Sequence, residues 1–265
     1  MKTKLMTRPS FLSADGTLNL CAPCSWEELT QEQLRYVLTL LTGEWGGRYE
    51  VQTYLFARFT GTKVLKEKKD GWLCQTILNN GKKHRFFLQL WEVQSFCEAF
   101  DYVFDGKGAA NRLESIDGCK AVDVNLYEVP FIDYIICDNY FQQFLESDRT
   151  SDEPLKEMAR YLYLDADGKK PESIRCSKAE LMGVFLWFTY IKNNFSKSFP
   201  HLFKPADAAM AYDPVEAMNA QIRALTGGDV TKEEQIKQTD VWRALTELDA
   251  KAREADELNQ KLKKS

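Results

Sequence analysis

SKAELMGVFLWFTYIKNNF, residues 177–195, carries the most hydrophobic helix pattern of the chain. Ser177 and Glu180 have the spacing of a capping box, in which each side chain satisfies a free backbone amide of the other residue. The residues that follow predict a helix over 181–195, and a helix with so many apolar residues is buried. Its strongly apolar part, 181–191, is too short to cross a membrane. We therefore expect this helix to be the central buried element of the fold.

The composition indicates a globular chain that can form a sizeable core. Its 265 residues are 44% hydrophobic and 12% aromatic, which fits one large domain or one domain with an appendage. The net charge of −4 gives no electrostatic argument for a nucleic-acid binder. The N-terminus has no long apolar run, and among the seven cysteines only Cys21 and Cys24 are close in sequence. We expect reduced thiols and a cytoplasmic location.

Two turn signals predict β-hairpins near residues 3–22 and 72–90. The first surrounds Ala14-Asp15-Gly16, and the second surrounds Asn79-Asn80-Gly81, where Asn and Gly tolerate the positive φ of a tight turn. Residues 105–130 lack any period and are expected to be irregular. Capping-box patterns begin at Ser25 and at Thr30. Helical spacing, caps and stops predict further helices between Thr30 and Gly43, over 49–59, 91–104 and 131–145, and after Asp152.

The C-terminal part of the chain predicts two helices in succession. Small residues at 206–211 indicate a linker, Asp213-Pro214 starts a helix, and Gly227-Gly228 ends it. A capping box at Thr231 then opens the last helix. Its apolar seam alternates in steps of four and three, like that of a coiled coil, over Val241, Leu245, Leu248, Ala252, Ala255, Asn259 and Leu262.

These patterns predict an α+β fold that is mostly α. We expect a compact, mainly helical body with small β-hairpins over residues 1–205, the linker 206–211, and a C-terminal two-helix arm over 212–265. The seam is thin, so an isolated arm would be marginally stable and needs a surface to bury against. A helical partner, a second copy or the body itself could supply that surface. The residues expected to bind a partner are Val241, Trp242, Leu245, Leu248, Ala252 and Leu262.

Trp242 differs from the other tryptophans because its helix has little other aromatic content. Tryptophan is favoured at binding contacts. We expect it to anchor the last helix either to a partner or back onto the body.

Cys21-Ala22-Pro23-Cys24 has the spacing of a redox motif. A helix that starts after it would lower a thiol pKa, whereas Glu27 and Glu28 would raise it. We favour two cysteines in a strand-to-helix connection over a redox site. One such pair also lacks the two further ligands of a zinc site.

No other pattern indicates catalysis. Asp165-Ala166-Asp167-Gly168 fails the calcium-loop pattern and is interpreted as a polar turn. His84 and His201 are interpreted as surface or packing residues. We therefore expect no catalytic, cofactor-binding or metal-binding residue, no cofactor, and a protein that is not an enzyme.

The charges are unevenly distributed. Residues 63–85 hold seven Lys or Arg against two acids, a net of +5, while residues 122–165 hold ten acids against three bases, a net of −7. The basic hairpin with Lys82, Lys83 and Arg85 could bind nucleic acid or an acidic protein face, although charges that keep an edge hairpin soluble are the simpler interpretation. We expect a protein partner and consider nucleic acid a lesser alternative.

Four segments carry a resemblance to a known family. SWEELTQEQLRYVLTLL (25–41), GCKAVDVNLYEVPFIDYIICDNYFQQF (118–144), FLWFTYIKNNFSKSFPHLFKP (185–205) and QIRALTGGDVTKEEQIKQTDVWRALTELDAKAREADEL (221–258) resemble proteins of bacterial prophages and mobile elements to which no activity is assigned. The last segment is also similar, in its helix pattern and its LTGG turn, to bacteriophage tail-assembly chaperones. Those proteins are helical, cytoplasmic and thought to coat the tape-measure protein.

This resemblance implies a phage-derived, non-enzymatic assembly or chaperone-like protein that binds a helical partner. The partner could be a tape-measure or other tail protein, and self-association is possible in the same framework. The alternative is a structural phage component, such as a connector or tail protein. No membrane association is expected.

Overall fold

The computed structural model describes residues 10–204 and 214–264 and confirms the α+β, mostly helical fold. The predicted linker 206–211, the Asp213 cap and residues 3–9 of the first predicted hairpin lie outside the described residues. No helix in the described part of the chain is long and apolar enough to cross a membrane.

The contacts of the chain divide it into two compact units. Unit 1 comprises Met1–Asn111 and Lys178–Met182, and unit 2 comprises Arg112–Ser177 and Gly183–Ser265. Helices that we assigned to a C-terminal arm therefore belong to the same unit as residues 112–177.

The described part of unit 1 combines three complete helices with two antiparallel sheets, and the first residues of α6 (Lys178–Ser198) also belong to it. A two-stranded hairpin precedes the helices, and a three-stranded sheet in the order β3-β4-β5 follows the second helix. The elements are β1 (Phe11–Leu12), β2 (Leu18–Asn19), a 3-10 turn (Trp26–Glu28), α1 (Gln31–Leu41), α2 (Arg48–Thr60), β3 (Lys63–Lys68), β4 (Gly71–Ile77), β5 (Lys83–Gln89), α3 (Leu90–Glu98) and a 3-10 turn (Asp101–Phe104).

The two predicted caps at the start of unit 1 have different outcomes. Thr30 and Gln33 form the predicted capping box at the start of α1. The capping box predicted at Ser25 is wrong, because Ser25 makes no side-chain cap and only a 3-10 turn follows it. The carboxylate of Glu28 instead accepts a hydrogen bond from the backbone amide of Cys24 at 2.7 Å.

The core of unit 1 lies among α1, α2, α3 and one face of the sheet. Phe56 on α2 stacks on Phe96 on α3, with 5.2 Å between ring centroids. Cys74 and Leu88 are buried on the inner face of β4 and β5. Gly61 ends α2 with a φ of 64°, which a residue without a side chain adopts at little cost.

Unit 2 is mainly helical, with one small sheet. The segment 105–130, expected to be irregular, contains two short strands that pair with a third in the order β6-β7-β8. The elements are β6 (Ser115–Ile116), β7 (Cys119–Ala121), α4 (Phe131–Glu146), α5 (Glu153–Leu162), β8 (Tyr163–Leu164), the part of α6 (Lys178–Ser198) from Gly183 onward, α7 (Pro214–Thr226), a 3-10 turn (Val230–Lys232), α8 (Glu233–Lys237) and α9 (Val241–Lys264).

The predicted central helix, α6, supplies the core of unit 2. Trp187, Phe188, Ile191 and Phe195 are all at most 1% exposed. Trp187 still satisfies its indole N–H, which donates to the backbone oxygen of Val124 at 2.8 Å. The burial predicted from the apolar sequence is therefore confirmed.

The single last helix predicted from Thr231 is wrong. Asp229, rather than Thr231, caps the 3-10 turn, since its carboxylate accepts the amide of Thr231 at 3.1 Å. The short helix α8 ends before Gln238, and α9 begins at Val241. The helix is interrupted between α8 and α9 because residues 239–241 pair with 129–131 instead of continuing a helical hydrogen-bond pattern.

Candidate partner-binding surface

The proximal half of α9 lies in the core of unit 2. Val241, Leu245 and Leu248 are 0%, 1% and 4% exposed. These three residues form the first part of the predicted seam. Contacts within the chain already bury them, so they are not on the surface of this structure.

Trp242 anchors the start of α9 to its own unit. Its indole N–H donates to the backbone oxygen of Asn125 at 2.7 Å. Its ring stacks on Tyr127 and meets Phe195 edge-on, at centroid distances of 5.2 and 5.1 Å. Trp242 was expected to anchor the last helix either to a partner or to the chain itself, and in the structure it contacts the chain itself.

Asp240 fixes the first turn of the helix. Its carboxylate accepts the backbone amides of Glu128 at 2.7 Å and Arg243 at 3.1 Å. The second bond is a helix N-cap, which satisfies an amide that has no partner inside the helix. Beside it, the amide of Val241 donates to the backbone oxygen of Val129 at 2.9 Å.

The loop 201–204 holds the middle of α9. Asp249 accepts the backbone amides of His201 and Leu202 at 2.8 and 2.9 Å. About two turns further on, Asp256 forms an ion pair with Lys204. The hydrogen bond from Lys204 keeps the pKa of the Asp256 carboxyl below its usual value. Contacts with this loop therefore extend along α9 as far as Asp256.

Beyond these contacts the helix is exposed. We call residues 255–262 the distal segment, and of its side chains only that of Asp256 is partly buried. Leu258 and Leu262 are 59% and 67% exposed. With Ala255 they are spaced by three and four residues, which places them along one face of the helix. Ala252, just before the segment, is partly buried.

The predicted partner-binding residues therefore fall into two groups. Val241, Trp242, Leu245 and Leu248 pack within unit 2, and Ala252 lies at the boundary. Leu262 remains on the surface, where it is joined by Leu258, which is not a member of the predicted seam. The sequence feature that could have identified Leu258 as a surface neighbour of Leu262 is its position four residues earlier on the helix.

Cys24 lacks the electrostatics of a reactive thiol. Cys21 is buried, Cys24 is exposed, and neither forms a disulfide. Burial, followed by the nearby charge of Glu28, raises the pKa of the Cys24 thiol. A raised pKa reduces the thiolate fraction at neutral pH, whereas redox cysteines have lowered values.

The other candidate sites behave as turns and surface positions. Asp165 accepts the amides of Asp167 and Lys169, each at 2.9 Å, and this confirms the predicted polar turn. His84 lies on β5 and His201 in the loop that contacts α9. Among the described residues, no group of three or more His, Cys, Asp or Glu side chains could hold a metal ion.

Comparisons with family models, with curated proteins and with solved structures find no match to this chain.

Proposed function

We propose that this chain is a non-enzymatic, phage-derived assembly protein of the tail-assembly chaperone type, which binds a helical protein partner through the distal segment. The observation that carries the proposal is the exposed pair Leu258 and Leu262 on a helix that is anchored at Trp242 and Asp249. The anchors orient the helix, and the leucines offer the binding surface.

The distal segment has an exposed apolar surface. Burial of a leucine side chain contributes about 1.5–3 kcal/mol relative to exposure in water. Leu258 and Leu262 realise only a minor part of that stabilisation at 59% and 67% exposure. A helical end whose side chains are mostly exposed is also marginally stable. A partner that covers this face would stabilise both the leucines and the helix.

The spacing of the apolar residues favours a helical partner. Residues at steps of three and four form the stripe by which an amphipathic helix packs against another helix or into a groove. The small side chain of Ala255 permits close approach. Exposed charges of both signs flank the stripe and would select the orientation of a partner; they are Arg253, Glu254, Glu257 and Lys261.

The nature of the partner follows from the resemblance of residues 221–258 to tail-assembly chaperones. Such chaperones are thought to coat the tape-measure protein before the tail tube forms, so the proposed partner is a tape-measure or other tail protein. Assembly of that kind takes place in the cytoplasm of the bacterial host.

Affinity isolation from a phage-producing host tests this proposal. The full chain is compared with L258Q/L262Q and with the control V230Q/L90Q, which replaces two other exposed apolar side chains. Point variants are preferred to removal of residues 206–265, because that truncation would also remove Val241 and Leu245 from the core.

We expect a helical tail protein to copurify with the wild type and the control but not with L258Q/L262Q. Equal recovery with all three proteins would overturn the role of the distal segment. Formation of a stable ring or fibre by the wild type alone would favour the structural phage component instead.

A further inference from the structure

Five cations share the outer face of the sheet β3-β4-β5. In the observed register, Lys63 pairs with Gln75, which pairs with Arg85, while Ile77 pairs with Lys83. Paired residues of antiparallel strands point to the same face, and alternate residues of a strand also share a face. Lys66 and Lys68, on β3, belong to this face because they pair with Leu73 and Gly71.

These cations have no ionic partner among the described residues. Salt bridges within 4 Å occupy many lysines and arginines elsewhere, but none involves the five side chains on this face. The register places Glu67 on the opposite face, where it pairs with Trp72. The outer face of the strands therefore carries five positive charges and no carboxylate, in a protein whose net charge is −4.

Apolar side chains lie between the cations. Phe87 is 41% exposed and Ile77 is 59% exposed, and Leu73 pairs with Phe87 at the centre of the face. The ring of Phe87 lies over Gly71, since a Cβ at that glycine would be 2.9 Å from its Cζ. The ammonium of Lys68 lies 5.7 Å from the centroid of the same ring.

We propose that this outer face binds single-stranded nucleic acid. A single strand presents a row of phosphates together with bases whose flat surfaces are not already stacked in a duplex. Cations that follow the backbone and aromatic side chains on which bases stack are the two components of such sites. Here the lysines of β3 lie on one side of Leu73 and Phe87, and Lys83 and Arg85 extend the positive charge on β5.

The combination of features distinguishes this ligand from other polyanions. A duplex would engage the cations but would keep its bases away from Phe87. An acidic peptide would engage the cations without requiring an aromatic ring. The exposed Phe87 beside Lys68 thus favours unpaired bases, and its substitution separates the three ligands.

Fluorescence anisotropy with a labelled oligothymidylate of about 20 nucleotides tests the proposal. The full chain is titrated between about 50 and 200 mM salt, and the same measurement is made with a duplex, a polyglutamate competitor and vesicles of phosphatidylcholine and phosphatidylglycerol. If all five cations contact phosphates, the plot of log K against log salt should have a slope of about −3.5.

Two variants examine the two components. K66Q/K68Q should weaken binding about tenfold at low salt and make the slope shallower by about 1.4. The control K120Q/K197Q removes two exposed lysines of unit 2 and should leave both values unchanged. F87L keeps an apolar side chain without a ring, so it should weaken binding about fivefold or more with the salt slope unchanged.

The proposal is overturned if the duplex, polyglutamate or the vesicles bind as tightly as the oligothymidylate, or if F87L binds like the wild type. An equal loss in K120Q/K197Q would also overturn it, because binding would then reflect total charge. Circular dichroism of each variant identifies any misfolded protein. If K66Q/K68Q is misfolded, K63Q/R85Q on the same face replaces it, and if F87L is misfolded, F87M replaces it.

Discussion

The carboxylate of Asp240 accepts a hydrogen bond from the backbone amide of Glu128 at 2.7 Å, across 112 residues of sequence. Glu128 has a φ of 62°, a left-handed conformation that is unusual for a residue with a side chain. The bond therefore joins a strained turn before α4 to the first turn of α9.

Loss of this carboxylate should destabilise unit 2. In Asp240→Ala, the amides of Glu128 and Arg243 lose their acceptor, and the free energy of unfolding should fall by about 1–2 kcal/mol in urea titrations. Asp240→Asn keeps an acceptor oxygen and should lose less than half as much. Glu254→Ala, which removes an exposed charge from the same helix, should change stability little. Equal stability of D240A and E254A would show that the bond contributes nothing.

Trp242 should be the main anchor of α9. Trp242→Ala removes the contacts with Tyr127 and Phe195 and should cost about 2–4 kcal/mol. Trp242→Phe keeps a ring but loses the hydrogen bond to Asn125, at a cost of about 1 kcal/mol. Urea unfolding followed by far-UV circular dichroism measures both.

The matched control for this anchor is Trp91→Ala, because Trp91 is 60% exposed. Its effect should stay within about 0.5 kcal/mol. A loss in W91A as large as that in W242A would contradict the anchoring role.

The sequence predicted elements where local signals were strong. The capping box at Thr30 and the apolar run of α6 specify their helices without help from distant residues. Strand β3 was missed because KVLKEK shows no apolar alternation, and only pairing with β4 makes it a strand. Because β3 was not recognised, the sequence did not show that Lys63, Lys66 and Lys68 share a sheet face with Arg85.

The candidate site was predicted only in part, for a similar reason. The seam on α9 is visible in sequence, but which half is buried depends on distant contacts. Residues 239–241 pair with 129–131, and Asp249 binds the loop 201–204. Neither contact leaves a local signal, apart from the Asp that precedes the apolar run at Val241. The exposure of Leu258 and Leu262 therefore follows from the structure and not from the sequence pattern.

The ion pair between Asp256 and Lys204 should give a pH-dependent contact. The hydrogen bond from Lys204 holds the pKa of the Asp256 carboxyl below 3.8. A carboxyl whose folded pKa is lowered stabilises the fold above its unfolded pKa, near 3.9, and loses that contribution as the pH falls through the folded value. The contact between the loop and α9 should therefore weaken below about pH 4.

Carbon-detected NMR titration of the carboxyl measures this effect. In Lys204→Gln the Asp256 midpoint should move up toward 3.8, while that of Asp15, which is lowered by the amide of Thr17, should stay in place. An unchanged Asp256 midpoint in K204Q would contradict the assigned cause.

Cys24 should react slowly. Burial and the charge of Glu28 raise the pKa of its thiol, so its alkylation at about pH 7.5 should be slower than that of free cysteine. Glu28→Gln removes the second cause and should speed the reaction. Mass spectrometry of the labelled peptide separates Cys24 from Cys176, which serves as the internal reference. A rate above that of free cysteine would revive the redox hypothesis.

The most direct measurement of the proposed function is photo-crosslinking from Leu258 in the full chain. The photoreactive amino acid p-benzoylphenylalanine replaces Leu258 in one protein and the exposed Lys197 in a control, both expressed in a phage-producing host. We predict an adduct with a helical tail protein from position 258 and none from position 197. Adducts that are equal at both positions, absent at 258, or formed only with a second copy of the chain would contradict a chaperone whose distal segment binds a helical partner.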